Sequence, residues 1–128
     1  MNKIYSALVL MHPVNKEGCF EILFSKDKKH FTSIDGNSPS YFRNMGLTSA
    51  IEVEVTPMQF YRLLGKSLDI KIRVMDLYVK YRDYYKTLSY YKKLAEMIVN
   101  AQCRYSEDLE IPESVIQLAN CQLISPKH

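Results

Sequence analysis

Apolar and polar positions alternate in three stretches of this 128-residue chain. In 19–25, CFEILFS, Phe20, Ile22 and Phe24 stand on one side and Glu21 on the other. In 50–55, AIEVEV, Ile51, Val53 and Val55 alternate with Glu52 and Glu54. In 67–75, SLDIKIRVM, Leu68, Ile70, Ile72 and Val74 alternate with Asp69, Lys71 and Arg73. A period of two puts successive side chains on opposite faces of a strand, so each stretch reads as a half-buried strand. Segment 4–11, IYSALVLM, is a continuous apolar run of strand length and reads as a strand covered on both faces. The turn residues of HPVNKEG (12–18) join it to 19–25 as an antiparallel hairpin. A short fifth strand, FTSI (31–34), would end at the Asp35-Gly36 turn.

Helical signals separate these strands. Ser38, Pro39 and Gly46 mark the cap, first position and stop of one short helix. Thr56, Pro57 and Gln59 form a capping-box start, and Gly65 reads as the stop of a second. Between Lys66 and Ile111 there is neither glycine nor proline. Asp76 is the best cap for a long helix over 76–103, although strand and helix adjoin there without a strong break. Such a helix would be about 42 Å long. Leu77, Tyr81, Tyr84, Leu88, Tyr91, Ala95, Ile98 and Gln102 recur at steps of four and three, a coiled-coil-like stripe. Segment 111–121, opened by Pro112, reads as a short terminal helix. The expected fold is one α+β domain over 1–128: a mainly antiparallel sheet of four to five strands covered by one long helix from the C-terminal half and two short helices.

Composition changes this picture little. At 47% hydrophobic and 24% charged the chain is ordinary globular material. No stretch approaches the length of apolar sequence that a membrane span needs. The short apolar run at the N-terminus has no small-residue cleavage site behind it, so a signal peptide is not expected. Three scattered cysteines, Cys19, Cys103 and Cys121, make no disulfide framework and suggest a reducing, cytoplasmic setting. Net charge is +3, but it is unevenly spread. Residues 66–105 carry nine basic side chains against four acidic ones, and 106–128 carry one against four. The acidic segment 107–113 is expected to serve as a charge partner for the basic face.

Candidate chemistry is sparse. Cys19 with His12 or His30 and Asp35 is the only thiol–imidazole–carboxylate combination to consider, and free cysteine mostly behaves as a small apolar residue. No spacing of Cys, His, Asp and Glu suggests a metal site, and no cofactor motif occurs. Neither catalytic residues nor a cofactor are therefore expected. SKDKKH (25–30) is a basic loop, with Lys28 and Lys29 at its tip. The most informative stretch is VKYRDYYKTLSYYKKLAEM (79–97), with five tyrosines among basic residues.

A 42 Å helix would overhang strands of six to eight residues, which span only about 20–26 Å. Its apolar stripe then needs another covering, and a second copy of the chain is the simplest. The sequence thus points to a non-enzymatic binding protein, such as a small adaptor, inhibitor or sequestering protein. It would self-associate through Tyr81, Tyr84, Leu88 and Tyr91, because tyrosine buries large area at low rotamer cost. One alternative is an RNA or single-strand binder using the basic-aromatic helix and the Lys26–His30 loop. Another is a binder of a small anionic, nucleotide-like ligand at a subunit interface. Arg73, Arg82, Lys86, Lys93, Tyr85, Lys28 and Lys29 are the side chains that could meet an anion.

Overall fold

A computed structural model describes residues 4–14, 18–78, 81–105 and 108–123, with the side chains of 76–78 and of Tyr81 and Arg82 outside the description. Among the described residues the fold is α+β, with a three-stranded antiparallel sheet and four helices. In chain order these are β1 (Tyr5–Met11), β2 (Phe20–Ser25), α1 (Pro39–Arg43), β3 (Ser49–Val55), α2 (Pro57–Tyr78), α3 (Tyr81–Tyr105) and α4 (Glu113–Asn120). The sheet order is β2-β1-β3. The expected hairpin is present, with Met11 opposite Phe20 and Ser6 opposite Ser25. Its connecting residues 15–17 lie outside the described residues. The fifth strand shrinks to one bridge between Thr32 and Phe24.

The main departure from the sequence pattern is 67–75, which is the second half of α2 rather than a strand. Four strands become three for this reason, and one long helix becomes two. The alternating residues satisfy a helix as well as a strand: Leu64, Leu68 and Met75 are buried on one side, while Lys66 and Arg73 are exposed. Asp69 and Arg73, one turn apart, close an ion pair at 2.7 Å. Strand propensity in Ile70, Ile72 and Val74 is overridden by this burial, which propensity alone does not encode. The expected strand-to-helix boundary at Asp76 is thus a helix-to-helix junction; α2 ends at Tyr78, and residues 79–80 lie outside the described residues.

Gly65 does not stop α2. It sits inside the helix, where α2 passes α4 and α3: a methyl there would meet Pro112 Cδ at 3.5 Å and Ile98 Cγ2 at 3.8 Å. These are ordinary contact distances. Gly65→Ala should therefore stabilise the protein by about 0.5–1 kcal/mol, since alanine favours helix and fills the notch. Urea denaturation checks this, and a loss of stability would mean that a left-handed stop stands at Gly65. By contrast the capping box is formed as expected: Gln59 N–H donates to Thr56 Oγ1 at 3.2 Å, and Thr56 N–H to Gln59 Oε1 at 2.9 Å. α1 ends at Arg43, earlier than the expected stop, and Gly46 stands in the turn that follows with φ 93°, a left-handed position that glycine adopts freely.

The core forms on both sides of the sheet. On one face Ala7, Ile22 and Val55 join Phe60, Leu64 and Leu68 of α2, Leu94, Ala95 and Ile98 of α3, and Val115 and Leu118 of α4. α2 makes the main contact with the sheet, and α3 and α4 pack on α2 and on each other. Leu8, Leu10 and Leu23 on the other face pack with Phe42 of α1, closed by Phe31 and Leu47. At about 33 Å and 38 Å, α2 and α3 both outrun strands of about 20–23 Å.

Coverage of the sheet is uneven. α2 departs from the Val55 end of β3 and comes to lie along the start of β2, where Ser67 donates its hydroxyl to the Phe20 carbonyl at 2.6 Å. The other end of β3 is left open, so Ile51 and Val53, expected inside, are 52% and 37% exposed.

Candidate functional site

An open groove of about 590 Å³ lies where α2 and α3 pass the start of β2 and the α1 segment. Each wall follows from a local feature. The Phe20 carbonyl held by Ser67 brings the β2 start against α2, placing Cys19, Phe20 and Glu21 beside Lys71. The turn at 33–37 is pinned from within: Ser33 Oγ donates to Asp35 Oδ1 at 2.6 Å and accepts the Asn37 N–H at 3.0 Å. Tyr90 of α3 then donates its hydroxyl to Asp35 Oδ2 at 2.8 Å, tying helix to turn. α1 supplies Tyr41 and Phe42, and Met45 follows it.

At the bottom of the groove, Lys71 closes an ion pair with Glu21, and the two side chains are only 19% and 18% exposed. Burial pushes the Lys71 ammonium down to about 8, with the Cys19 thiol acting in the opposite direction. Lys71 is therefore still cationic at neutral pH and offsets Glu21. The Tyr90 phenol is pushed up, first by burial and then by its hydrogen bond to Asp35. Tyr91, beside Cys19, is pushed up by burial. Neither tyrosine ionises near neutral pH. Asp35, which accepts from Ser33, Asn37 and Tyr90, has its charge spread over three donors. What the groove shows to solvent is then a rim of exposed Tyr41, Met45 and Tyr90, with exposed Lys86 on the α3 wall.

The residues singled out from sequence are distributed as follows. Of the tyrosine stripe, Leu88 and Tyr91 pack against the main core, and Tyr91 also lines the groove. Tyr84 is half-buried, and the side chain of Tyr81 lies outside the described residues. Further along, Ala95 and Ile98 are fully buried. Among the anion candidates whose side chains are described, Lys86 alone lines the groove. Lys93 is exposed two turns further along α3, and Tyr85 is half-buried. Arg73 is held by Asp69, and the side chain of Arg82 lies outside the described residues. Lys28 and Lys29 stand beyond the far end of β2, about 20 Å of strand away. Their loop is built around Asp27, whose carboxylate accepts from the Lys29 and His30 N–H groups and the Ser25 hydroxyl and contacts the His30 ring at 2.7 Å. The His30 contact, first among these, holds the Asp27 carboxyl well below the usual range. Lys28 itself reaches Glu54 at 3.2 Å.

Cys19 and Asp35 line the same groove, whereas neither histidine does. His30 is with Asp27, and His12 accepts the Val14 N–H at 3.1 Å. Among the described residues, no group of three or more His, Cys, Asp and Glu side chains is placed to hold a metal ion. No described helix is long and apolar enough to cross a membrane. Of the described residues of the acidic segment, Asp108 and Glu110 meet α2: the Asp108 carbonyl accepts from Arg62 at 3.3 Å, and Glu110 approaches the same guanidinium at 3.9 Å. Lys92 of α3 donates to the Ala119 carbonyl at the end of α4 at 2.8 Å.

The groove was not legible as a site in the sequence. Cys19, Asp35, Tyr41, Met45, Lys71 and Lys86 come from five separate segments, and no spacing links them. No protein-family model matches the chain, and neither a curated protein nor a solved structure matches it.

Proposed function

We propose that this chain is a non-enzymatic binding protein that takes a segment of a partner protein in the groove between the α2–α3 hairpin and α1. The observation that carries this reading is the rim: Tyr41, Met45 and Tyr90 are exposed around one concavity. Tyrosine and methionine are enriched where proteins meet, tyrosine for its large rigid area and methionine for its adaptable fit. The internal charges are offset by Lys71–Glu21 and by the donors around Asp35, so among the described residues the exposed charge on the wall is Lys86. A matching segment carries an aromatic or aliphatic anchor for the rim with an aspartate or glutamate beside it for Lys86.

Selection from a displayed library of random peptides tests the proposal directly. Enriched peptides should carry such an anchor next to a carboxylate. Met45→Glu and Lys86→Glu should each weaken them roughly tenfold or more, because one removes apolar contact and the other reverses the charge. Lys93→Glu, on the same helix but outside the groove, should leave affinity unchanged. Peptides that bind equally well to all three variants would remove the groove from consideration.

A further inference from the structure

The two edges of the sheet are treated differently. Along β2, Phe24 exchanges two backbone hydrogen bonds with Thr32 at 2.9 and 3.0 Å, and Ser67 occupies the Phe20 carbonyl. That edge is engaged at both of its ends by the chain's own residues. Along β3, no described segment pairs with the outer side. An open edge presents a row of backbone donors and acceptors to any strand that fits. Here the row is flanked by exposed Ile51 and Val53 on the helix side of the sheet, with half-buried Val9 opposite Ile51 on β1.

The opposite face of β3 carries Glu52 and Glu54, and acidic residues on an edge commonly discourage pairing. Their positions instead select one register. In a two-fold antiparallel pair centred on Glu52, that carboxylate faces its own copy. Centred on Val53, each Glu52 faces a Glu54. Centred on Ala50, Ile51 faces Ser49 and the apolar pair is lost. Only centring on Ile51 places Ile51 against Ile51, Val53 against Ser49 and Glu52 against Ala50. Like charges directly opposite destabilise a pair, and β-branched residues opposite one another stabilise it. Glu54 is already served by Lys28 at 3.2 Å, so no cation is required from the other strand.

We infer that β3 pairs with β3 of a second copy across a two-fold axis at Ile51, joining two three-stranded sheets into one of six. The main-chain ladder supplies direction, and the Ile51 contact sets register. This association is separate from the groove, which opens against the β2 edge, and it leaves that site accessible in both copies.

Sedimentation of the full chain across the micromolar range tests the association, and cross-linking tests the register. A dimer is expected, and Ile51→Glu should weaken it roughly tenfold or more by placing two carboxylates face to face. Circular dichroism and thermal melting confirm that the variant is folded; Ile51 is half exposed, so the monomer tolerates the change. In a chain with its three cysteines replaced by serine, Ile51→Cys should form an intermolecular disulfide on oxidation, because facing residues lie within disulfide range. Glu52→Cys should form it far more slowly. A monomeric wild type overturns the inference, as does a dimer indifferent to Ile51→Glu. A monomer whose β3 amide signals shift on adding a synthetic peptide of alternating lysine and valine assigns the edge to a foreign basic strand, and also overturns it.

Discussion

Glu21→Leu is expected to destabilise the folded chain by about 2–3 kcal/mol, and the double change Glu21→Leu with Lys71→Met to recover most of the loss. The single change leaves the Lys71 ammonium mostly buried with its carboxylate gone, which is costly; removing both charges leaves two apolar side chains of similar size. Solvent reaches the pair a little, so the cost falls below that of a fully enclosed one. The same lysine sets a pH signature. Its ammonium titrates at about 8 in the folded chain against 10.5 ordinarily, because burial disfavours the charge. Between those values the unfolded chain holds a proton that the folded chain has released. Stability should therefore rise with pH from about 8 toward 10, by roughly 1–3 kcal/mol. Above about 10 the sign reverses, since the raised phenols of Tyr90 and Tyr91 keep protons that the unfolded chain loses. Lys71→Met should abolish the rise and keep the fall. Urea titrations at several pH values decide it, and an unchanged rise in the variant would assign it to another group.

Leu68→Ala should cost about 3–4 kcal/mol, while Ile70→Ala should cost about 1 kcal/mol or less. Leu68 is 1% exposed between the sheet and the other helices, and Ile70, two residues on, is only half-buried. A strand over 67–75 would put both side chains on one covered face and make the two losses similar. In a helix they stand about 200° apart, so only one reaches the core. Equal losses in chemical denaturation would restore the strand.

That pair of residues shows where reading the sequence succeeds and where it stops. SLDIKIRVM is apolar at every second position, yet Leu64, Leu68, Ile72 and Met75 are also spaced for a helix. Nothing local chooses between the two. The choice comes from α3 and α4, whose Ile98 and Val115 join the cluster around Leu64 and Leu68. Ile51 and Val53 fail in a related way. Alternation correctly makes 50–55 a strand but cannot report that α2 crosses toward β2 and leaves its far end bare. The tyrosine stripe was visible as a helix face, but its covering was not: Leu88 and Tyr91 find part of theirs within the chain.

Readable in the chain alone are features written over a few neighbouring residues: the β1–β2 hairpin, the strand at β3, the Thr56–Gln59 capping box and the Ser38–Pro39 start of α1. Each is a hydrogen bond, a φ preference or a period that the local chain satisfies unaided. Tertiary structure decided the identity of 67–75, the crossing at Gly65, the engaged and open sheet edges, and the meeting of Cys19, Asp35, Tyr41, Lys71 and Lys86 in one groove. These depend on which distant surfaces exclude water together. That term exceeds the roughly 1 kcal/mol that local propensity can offer, and it has no signature in any short window of sequence.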